Sequence, residues 1–366
     1  MHDIAVIGGG AFGVMTAIAL AESGYAATVY ERLPELMAGT TRSGNRVHMG
    51  YHYPRDATTV RQCMRGYARF TEEFAEAILG NVTNAYFIAD AGSLVSAEEY
   101  IAFCDRFSLP YSRIDPGGFA GGIHDVSLGI LTPEVMFDPA AFRRIALKRL
   151  SESGAGVVVE TDIADIRHEE DGGFLLQSAS GRAYRADAVV NCAYANMGRV
   201  AAGFGAGENK RQFEYTAIPV VRVPGLPPCS VTVLDGSFFC LLPYGRAGDY
   251  LLYHVDHSVV ARDRAATLDP AWLDAAASPA ATADHAAVFR RTLEAASPFM
   301  PALRDAVLQD FVHGVRMVLP DEDATDARPS VVTLRAPGYA EVFSGKISHC
   351  TWVGEEVAAL LAGEEA

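Results

Sequence analysis

The stretch Ile4-Ala5-Val6-Ile7-Gly8-Gly9-Gly10-Ala11-Phe12-Gly13 lies at the head of a 366-residue sequence and decides how the rest is read. Four consecutive apolar residues without alternation predict a strand buried on both faces of a parallel sheet. The glycines that follow hold the spacing Gly8-x-Gly10-x-x-Gly13. The first allows a tight turn, the second lets the backbone approach a pyrophosphate, and the third lets strand and helix pack closely. A helix is expected from about Phe12 to Ser23, with Gly24 ending it, and its N-terminus then faces the phosphates. Ala11 and Phe12, at its first turn, join the glycines as candidate cofactor contacts. A second strand, Thr28-Val29-Tyr30, leads to Glu31, which lies 18 residues beyond Gly13. An acid there can accept hydrogen bonds from ribose hydroxyls; Arg32 adjoins it. Strand, glycines, helix, strand and acid in that order mark a dinucleotide site, and leave open whether NAD or FAD fills it.

Beyond Glu31 the chain turns polar, through Thr40-Thr41-Arg42-Ser43-Gly44-Asn45, then Arg46-Val47-His48-Met49-Gly50-Tyr51-His52-Tyr53-Pro54-Arg55-Asp56. Such a density of His, Tyr and Arg in a connecting segment is where site residues concentrate. A helix is expected from about Thr58 to Ala77. Further on, Gly156–Glu160 and Ala186–Ala193 read as strands, Gly173–Ser178 and Arg182–Tyr184 as a small hairpin. The region Gln212–His257 alternates apolar and polar residues as an antiparallel sheet does. Helices are expected over about Ala281–Ala296 and Pro301–Phe311. The C-terminal part reads as a strand from Ala340 into a turn at Gly345-Lys346-Ile347, then a helix over Trp352–Leu361.

The net charge of -15 gives no bulk attraction for nucleic acid or anionic membrane. The six cysteines are scattered, without the spacing of a disulfide framework or a metal site. No run reaches the roughly 18 apolar residues needed to span a bilayer, so a cytoplasmic enzyme with no membrane span is expected.

This order of elements resembles the D-amino-acid oxidase-like flavoprotein family, which includes glycine and sarcosine oxidases and L-2-hydroxyglutarate dehydrogenase. Four patches carry the resemblance: Gly8 to Glu31, the Thr40–Asn45 turn, Ala188–Ala193, and Gly314-Val315-Arg316 through Asp321 with Gly345-Lys346-Ile347. The resemblance implies FAD. It also implies an α/β fold, with a Rossmann-like FAD-binding domain assembled from 1–80, 139–205 and 312–366. A second, substrate domain (81–138 and 206–311) would be built on a mixed or antiparallel sheet. Implied FAD contacts are Thr40, Thr41, Arg42, Ser43, Asn45, Ile163, Cys192, Ala193, Arg316, Gly345, Lys346 and Ile347. Sarcosine-oxidase-type members attach flavin to a C-terminal cysteine; His313–Asp326 has none, so noncovalent FAD is expected. The segment Asn45, His48, Gly50, Tyr51, Tyr53, Pro54 is most like the 2-hydroxyglutarate dehydrogenase branch.

The implied reaction moves a hydride from a C–N or C–O carbon of a small amino-acid-like or hydroxy-acid substrate to flavin N5, with oxygen or another acceptor restoring the cofactor. An amine substrate need only arrive neutral, whereas an alcohol needs a base near neutral pH; the breadth of the family favours amine oxidation, while the His48 segment pulls toward a hydroxy acid. His48 is the candidate base; a structural contact or a covalent link to flavin are its other readings. Tyr53 and Arg55 are candidates for holding a substrate carboxylate, the arginine by a bidentate fork. Tyr253 and Arg316 are further candidates. Tyr253 and His254 are adjacent on one strand, so only one of them can face the pocket. The alternative from another class is a non-redox flavoenzyme such as a sugar-nucleotide mutase.

Overall fold

The computed structural model describes residues 2–40, 44–170, 172–204, 211–320 and 325–364. The apolar run of the opening becomes the strand Asp3–Ile7, central in a six-stranded sheet. In spatial order that sheet runs Val331–Ala336, Tyr339–Phe343, Ala188–Asn191, Asp3–Ile7, Ala26–Tyr30 and Gly156–Val158. All neighbours are parallel except the first pair. Alternation along Asp3–Ile7 splits its side chains between two layers. Ile4 and Val6 pack under the helices Ala11–Glu22, Pro139–Ser153 and Cys350–Glu364. Ala5 and Ile7 pack on a small three-stranded sheet, Ile163–His168, Phe174–Ser178 and Ala183–Ala186. The strand from the far end of the chain, Tyr339–Phe343, therefore completes the sheet that the first residues begin.

The second large sheet has nine strands. It is mixed: Cys229–Leu234 runs parallel to Thr83–Ala89 and antiparallel to Phe239–Pro243. One of its faces carries Ala85, Phe87, Val231, Val233, Leu241 and Leu252, closed by the helix His285–Ala296 and the turn after it.

Two helix expectations need correction. The expected Ala281–Ala296 helix is a short turn, Pro279–Thr282, followed by His285–Ala296. The expected Pro301–Phe311 helix is one turn of 3-10 helix, Pro301–Asp305, that gives way to a twelve-residue strand, Val307–Val318. That strand pairs antiparallel with Arg211–Arg222 along its length. The valines and aromatics from Val307 onward favour extended structure, and the long partner strand supplies the hydrogen bonds. The expected domain boundary at 312 falls inside this strand. Among the described residues no helix is long and apolar enough to cross a membrane.

Candidate functional site

The glycine loop tests its own reading. Gly8 has φ +102°, and a Cβ there would lie 2.7 Å from the Cys192 carbonyl oxygen. A Cβ on Gly13 would lie 1.8 Å from the Gly8 carbonyl oxygen. Protein packing alone therefore requires these two glycines. Gly10 differs, because a Cβ there would meet only Thr40 Oγ1, at an ordinary 3.6 Å. The space beside Gly10 lies at the start of the helix Ala11–Glu22, where the N-cap residue has no side chain to cap the helix and no acid occupies the first turn. Thr40 Oγ1 takes one of the free donors, the Ala11 N–H, at 3.0 Å. The remaining first-turn N–H groups, with open space among the described residues beside Gly10, fit a pyrophosphate.

Glu31 clamps the loop: its two oxygens accept from Gly9 N–H at 2.7 Å and Leu33 N–H at 2.8 Å. A carboxylate has lone pairs left for further donors, so the ribose reading stands beside this structural one. Arg32 is exposed. Phe12 and Cys192 are buried against the loop, and Ala193 N–H donates to Asn191 Oδ1 at 3.1 Å. Ile163 is buried in the apolar layer with Ala5, Ile7 and Tyr30. Asn45 is buried and its carbonyl accepts from Phe137 N–H at 2.9 Å. Thr41, Arg42 and Ser43, and Asp321 of the C-terminal segment, lie outside the described residues.

The second half of the site comes from the nine-stranded sheet. The face opposite its apolar layer is polar, yet buried. Asn84, Tyr86, Ser230, Thr232 and Glu214 are each no more than 3 % exposed. Arg46, 2 % exposed, reaches this face from the segment after the glycine loop. Its guanidinium donates to the Tyr86 hydroxyl and Thr232 Oγ1, both at 2.8 Å, and to Ser230 Oγ at 2.6 Å. Glu134 accepts from Met49 N–H at 2.6 Å and from the Tyr86 hydroxyl at 2.5 Å. Its Oε1 lies 3.6 Å from His48 Nδ1, and its Oε2 lies 3.9 Å from the Arg46 guanidinium. Burial pushes the Glu134 carboxyl upward, but the His48 contact, the Arg46 charge and the Tyr86 hydrogen bond outweigh it, and the group lies below its ordinary value; at pH 7, with His48 neutral, the fixed charge beside it is Arg46. Burial lowers His48 to about 4 despite Glu134, so its imidazole is neutral at pH 7.

Around His48 stand His52 and Tyr53, with ring centroids at 5.6 Å and 5.9 Å. Lys346 joins them from the C-terminal turn, its Nζ 4.7 Å from the Tyr53 ring centroid. Burial, then Arg328, lower Lys346 to about 8. The Tyr53 hydroxyl and His52 Nδ1 are buried with no partner among the described residues. Polar atoms of this kind, next to a desolvated ammonium, fit a polar group such as the pyrimidine of a flavin. Ile347 begins the turn Ile347–His349, and Gly345 N–H donates to Ser330 Oγ at 2.8 Å.

Arg316 and Tyr253 come together on the polar face: the guanidinium lies 5.4 Å from the Tyr253 ring centroid and pairs with Glu214. Of the Tyr253/His254 pair it is Tyr253 that takes this side, while His254 stacks on His257 at 4.3 Å. Arg55 stands elsewhere. It forms a two-point ion pair with Asp235, one contact at 3.1 Å, while Asp56 caps the helix Ala57–Glu73. Its fork is thus filled by a protein carboxylate. Arg46, Glu134, Tyr86 and Glu214 were not singled out from sequence. The alternation Ser230/Thr232 was the available signal for the polar face; Glu134 had none locally.

Comparison with known proteins agrees with this geometry. The family described as "FAD dependent oxidoreductase" (DAO) matches residues 3–360. The chain is 25% identical over 375 aligned positions to "FAD-dependent monooxygenase kojA" of Aspergillus flavus, covering 98% of this chain and 85% of that protein. It is 24% identical to "FAD-dependent monooxygenase FPY4" of Fusarium mangiferae, covering 99% and 92%. Its fold matches glycine oxidase from Geobacillus kaustophilus with a TM-score of 0.73 at 16% identity, over 100% of this chain and 96% of that one. It matches L-proline dehydrogenase from P. horikoshii with a TM-score of 0.75 at 19% identity, over 99% and 93%. The non-redox alternative therefore gives way, and a single statement joins the two ends of the chain: it belongs to the DAO family and is an FAD-dependent oxidoreductase.

Proposed function

We propose that the protein oxidises a hydroxyl-bearing carbon of a small polar substrate, with His48 as the base. The observation that carries this reading is the partly buried His48 beside ionised Glu134, neutral at pH 7 and next to His52, Tyr53 and Lys346. A hydroxyl needs its proton taken as hydride leaves the same carbon, and a neutral imidazole can take it. Bound FAD would supply the two-electron acceptor. Gly8, Gly10, Gly13 and Thr40 would hold its pyrophosphate, Glu31 its ribose, and Lys346 its pyrimidine. The FAD is held noncovalently, and oxygen or another acceptor reoxidises it.

A second reading, oxidation of an amino acid, has a specific observation behind it. The Arg316–Glu214 pair beside Tyr253 offers a cation and an anion on one surface, which suits a zwitterion. Anaerobic mixing separates the two. Glycine, L-proline, L-2-hydroxyglutarate and glucose are each tested for bleaching of the flavin band near ~450 nm. Bleaching by a hydroxylated compound, slowed at least ~100-fold by His48→Gln, supports the first reading. Bleaching by an amino acid, with His48→Gln near wild type, replaces it with the second.

A further inference from the structure

Glu134 sits in a buried network of side chains. Among the described residues its hydrogen-bond partners and the nearby guanidinium are all donors. Met49 N–H and the Tyr86 hydroxyl hydrogen-bond it, the Arg46 guanidinium stands 3.9 Å away, and His48 Nδ1 stands at 3.6 Å. Arg46 is itself anchored at three points on the sheet, to Tyr86, Thr232 and Ser230. Ser230 Oγ in turn donates to Asn84 Oδ1 at 2.7 Å. The carboxylate is therefore pinned by a chain of side chains running across two strands, and its Oε1 faces one nitrogen of one imidazole.

We infer that Glu134, braced by Arg46 and Tyr86, is a positioning residue that keeps the His48 proton on Nδ1 and so leaves Nε2 as the proton-accepting atom. The inference rests on His48 being the base.

The distance carries the physical content. At 3.6 Å the contact is longer than a hydrogen bond. It is electrostatic, and it strengthens once the imidazole gains charge. Glu134 therefore stabilises the imidazolium that forms during the reaction more than the resting imidazole, which is the condition for raising a rate. The remaining charged and titratable groups facing His48 are Arg46, His52, Tyr53 and Lys346, with His349 beyond them. Asp326 acts on Lys346 and Tyr53, while Glu134 is the carboxylate in contact with His48 itself. In the step itself the substrate O–H bond breaks and its proton goes to His48 Nε2. Bound FAD would supply the acceptor for the hydride the hydroxyl-bearing carbon loses as C–O becomes C=O. Glu134 exchanges no proton.

The test reads the tautomer directly. FAD-loaded protein labelled with 15N-histidine is examined by NMR, the His48 signals being assigned by their loss in His48→Gln. The wild type is expected to be protonated on Nδ1. In Glu134→Gln the single amide oxygen must also serve Met49 N–H and the Tyr86 hydroxyl, so the Nδ1–H form should fall several-fold; Glu134→Asp should keep it. A wild type protonated on Nε2 overturns the inference even if no Glu134 variant folds, and so does an unchanged tautomer in Glu134→Gln. Kinetics separate this failure from failure of the base assignment. With a substrate that bleaches the flavin, Glu134→Gln should slow reduction about 30- to 100-fold, and under about 3-fold when His48→Gln is already present. His48→Gln reducing at the wild-type rate refutes the base while leaving the tautomer measurement standing.

Discussion

Substituting alanine separately for Gly10 and Gly13 should separate what the fold needs from what the cofactor needs. At Gly10 the backbone, φ −72° and ψ −179°, suits any residue, and the added methyl would meet only Thr40 Oγ1 at 3.6 Å. Alanine is a poorer N-cap than glycine by some tenths of a kcal/mol, and the loss of unfolded-state entropy offsets about 0.4–1 kcal/mol. The FAD-free Gly10→Ala protein should therefore melt within about 2 °C of wild type. At Gly13 the methyl would lie 1.8 Å from the Gly8 carbonyl oxygen, which backbone movement alone can relieve. A clash this close with backbone belongs at the upper end of the overpacking cost, about 3 kcal/mol, of which alanine's helix propensity offsets about 1 kcal/mol. Gly13→Ala should thus melt roughly 4–8 °C lower even without FAD. With FAD the order changes. Gly10→Ala should raise the Kd for FAD at least ~30-fold, about 2 kcal/mol, because its methyl takes space the pyrophosphate approaches. Thermal melts of FAD-stripped protein, alone and over an FAD titration, measure both quantities. A Gly10→Ala protein that is destabilised without FAD, or that binds FAD as tightly as wild type, refutes the reasoning.

Lys346→Met tests the half-buried ammonium: lowering from 10.5 to about 8 means that the folded FAD-free protein holds its proton less tightly than the unfolded chain. The wild type is therefore penalised by up to about 3 kcal/mol below pH 8, the penalty fading between pH 8 and 10.5. Lys346→Met should stabilise the FAD-free protein at pH 7, with a gap from wild type that narrows above pH 8; urea melts at pH 7, 9 and 10 would show it. The same variant should lower the midpoint potential of the bound flavin, measured by dye equilibration, because a cation near the pyrimidine favours the anionic reduced form. Arg55→Ala and Asp235→Ala should each cost about 3 kcal/mol in urea unfolding, and the double variant less than their sum, because each single change strands a partly buried charge.

The elements made by neighbours in sequence were legible. Gly8, Gly10, Gly13 and Glu31 follow local spacing, and the strand, loop and helix form where the pattern places them. The closing strand Tyr339–Phe343 was also readable, as an apolar run before Gly345. Long-range pairing hid the rest. Val307–Val318 is a strand because Arg211–Arg222 lies beside it, and nothing within the segment names that partner. Ser230 and Thr232 alternate with valines as a solvent-facing strand does, but Arg46 buries them from 184 and 186 residues away. Arg55 looked available for a substrate carboxylate because its partner, Asp235, is 180 residues distant. Glu134 follows a proline in a short connection, where an acid is ordinarily a surface residue.

We propose that FAD lies between the first glycine loop and the last turn and serves, with His48, to oxidise a hydroxyl-bearing carbon. Anaerobic stopped-flow reduction of the purified FAD-loaded protein decides this, with wild type and His48→Gln mixed with L-2-hydroxyglutarate and with glucose. About one FAD per chain, bleaching near ~450 nm by a hydroxylated compound, and a rate at least ~100-fold lower in His48→Gln are expected. A protein that takes up no FAD, or one whose flavin these compounds reduce equally fast without His48, contradicts the proposal.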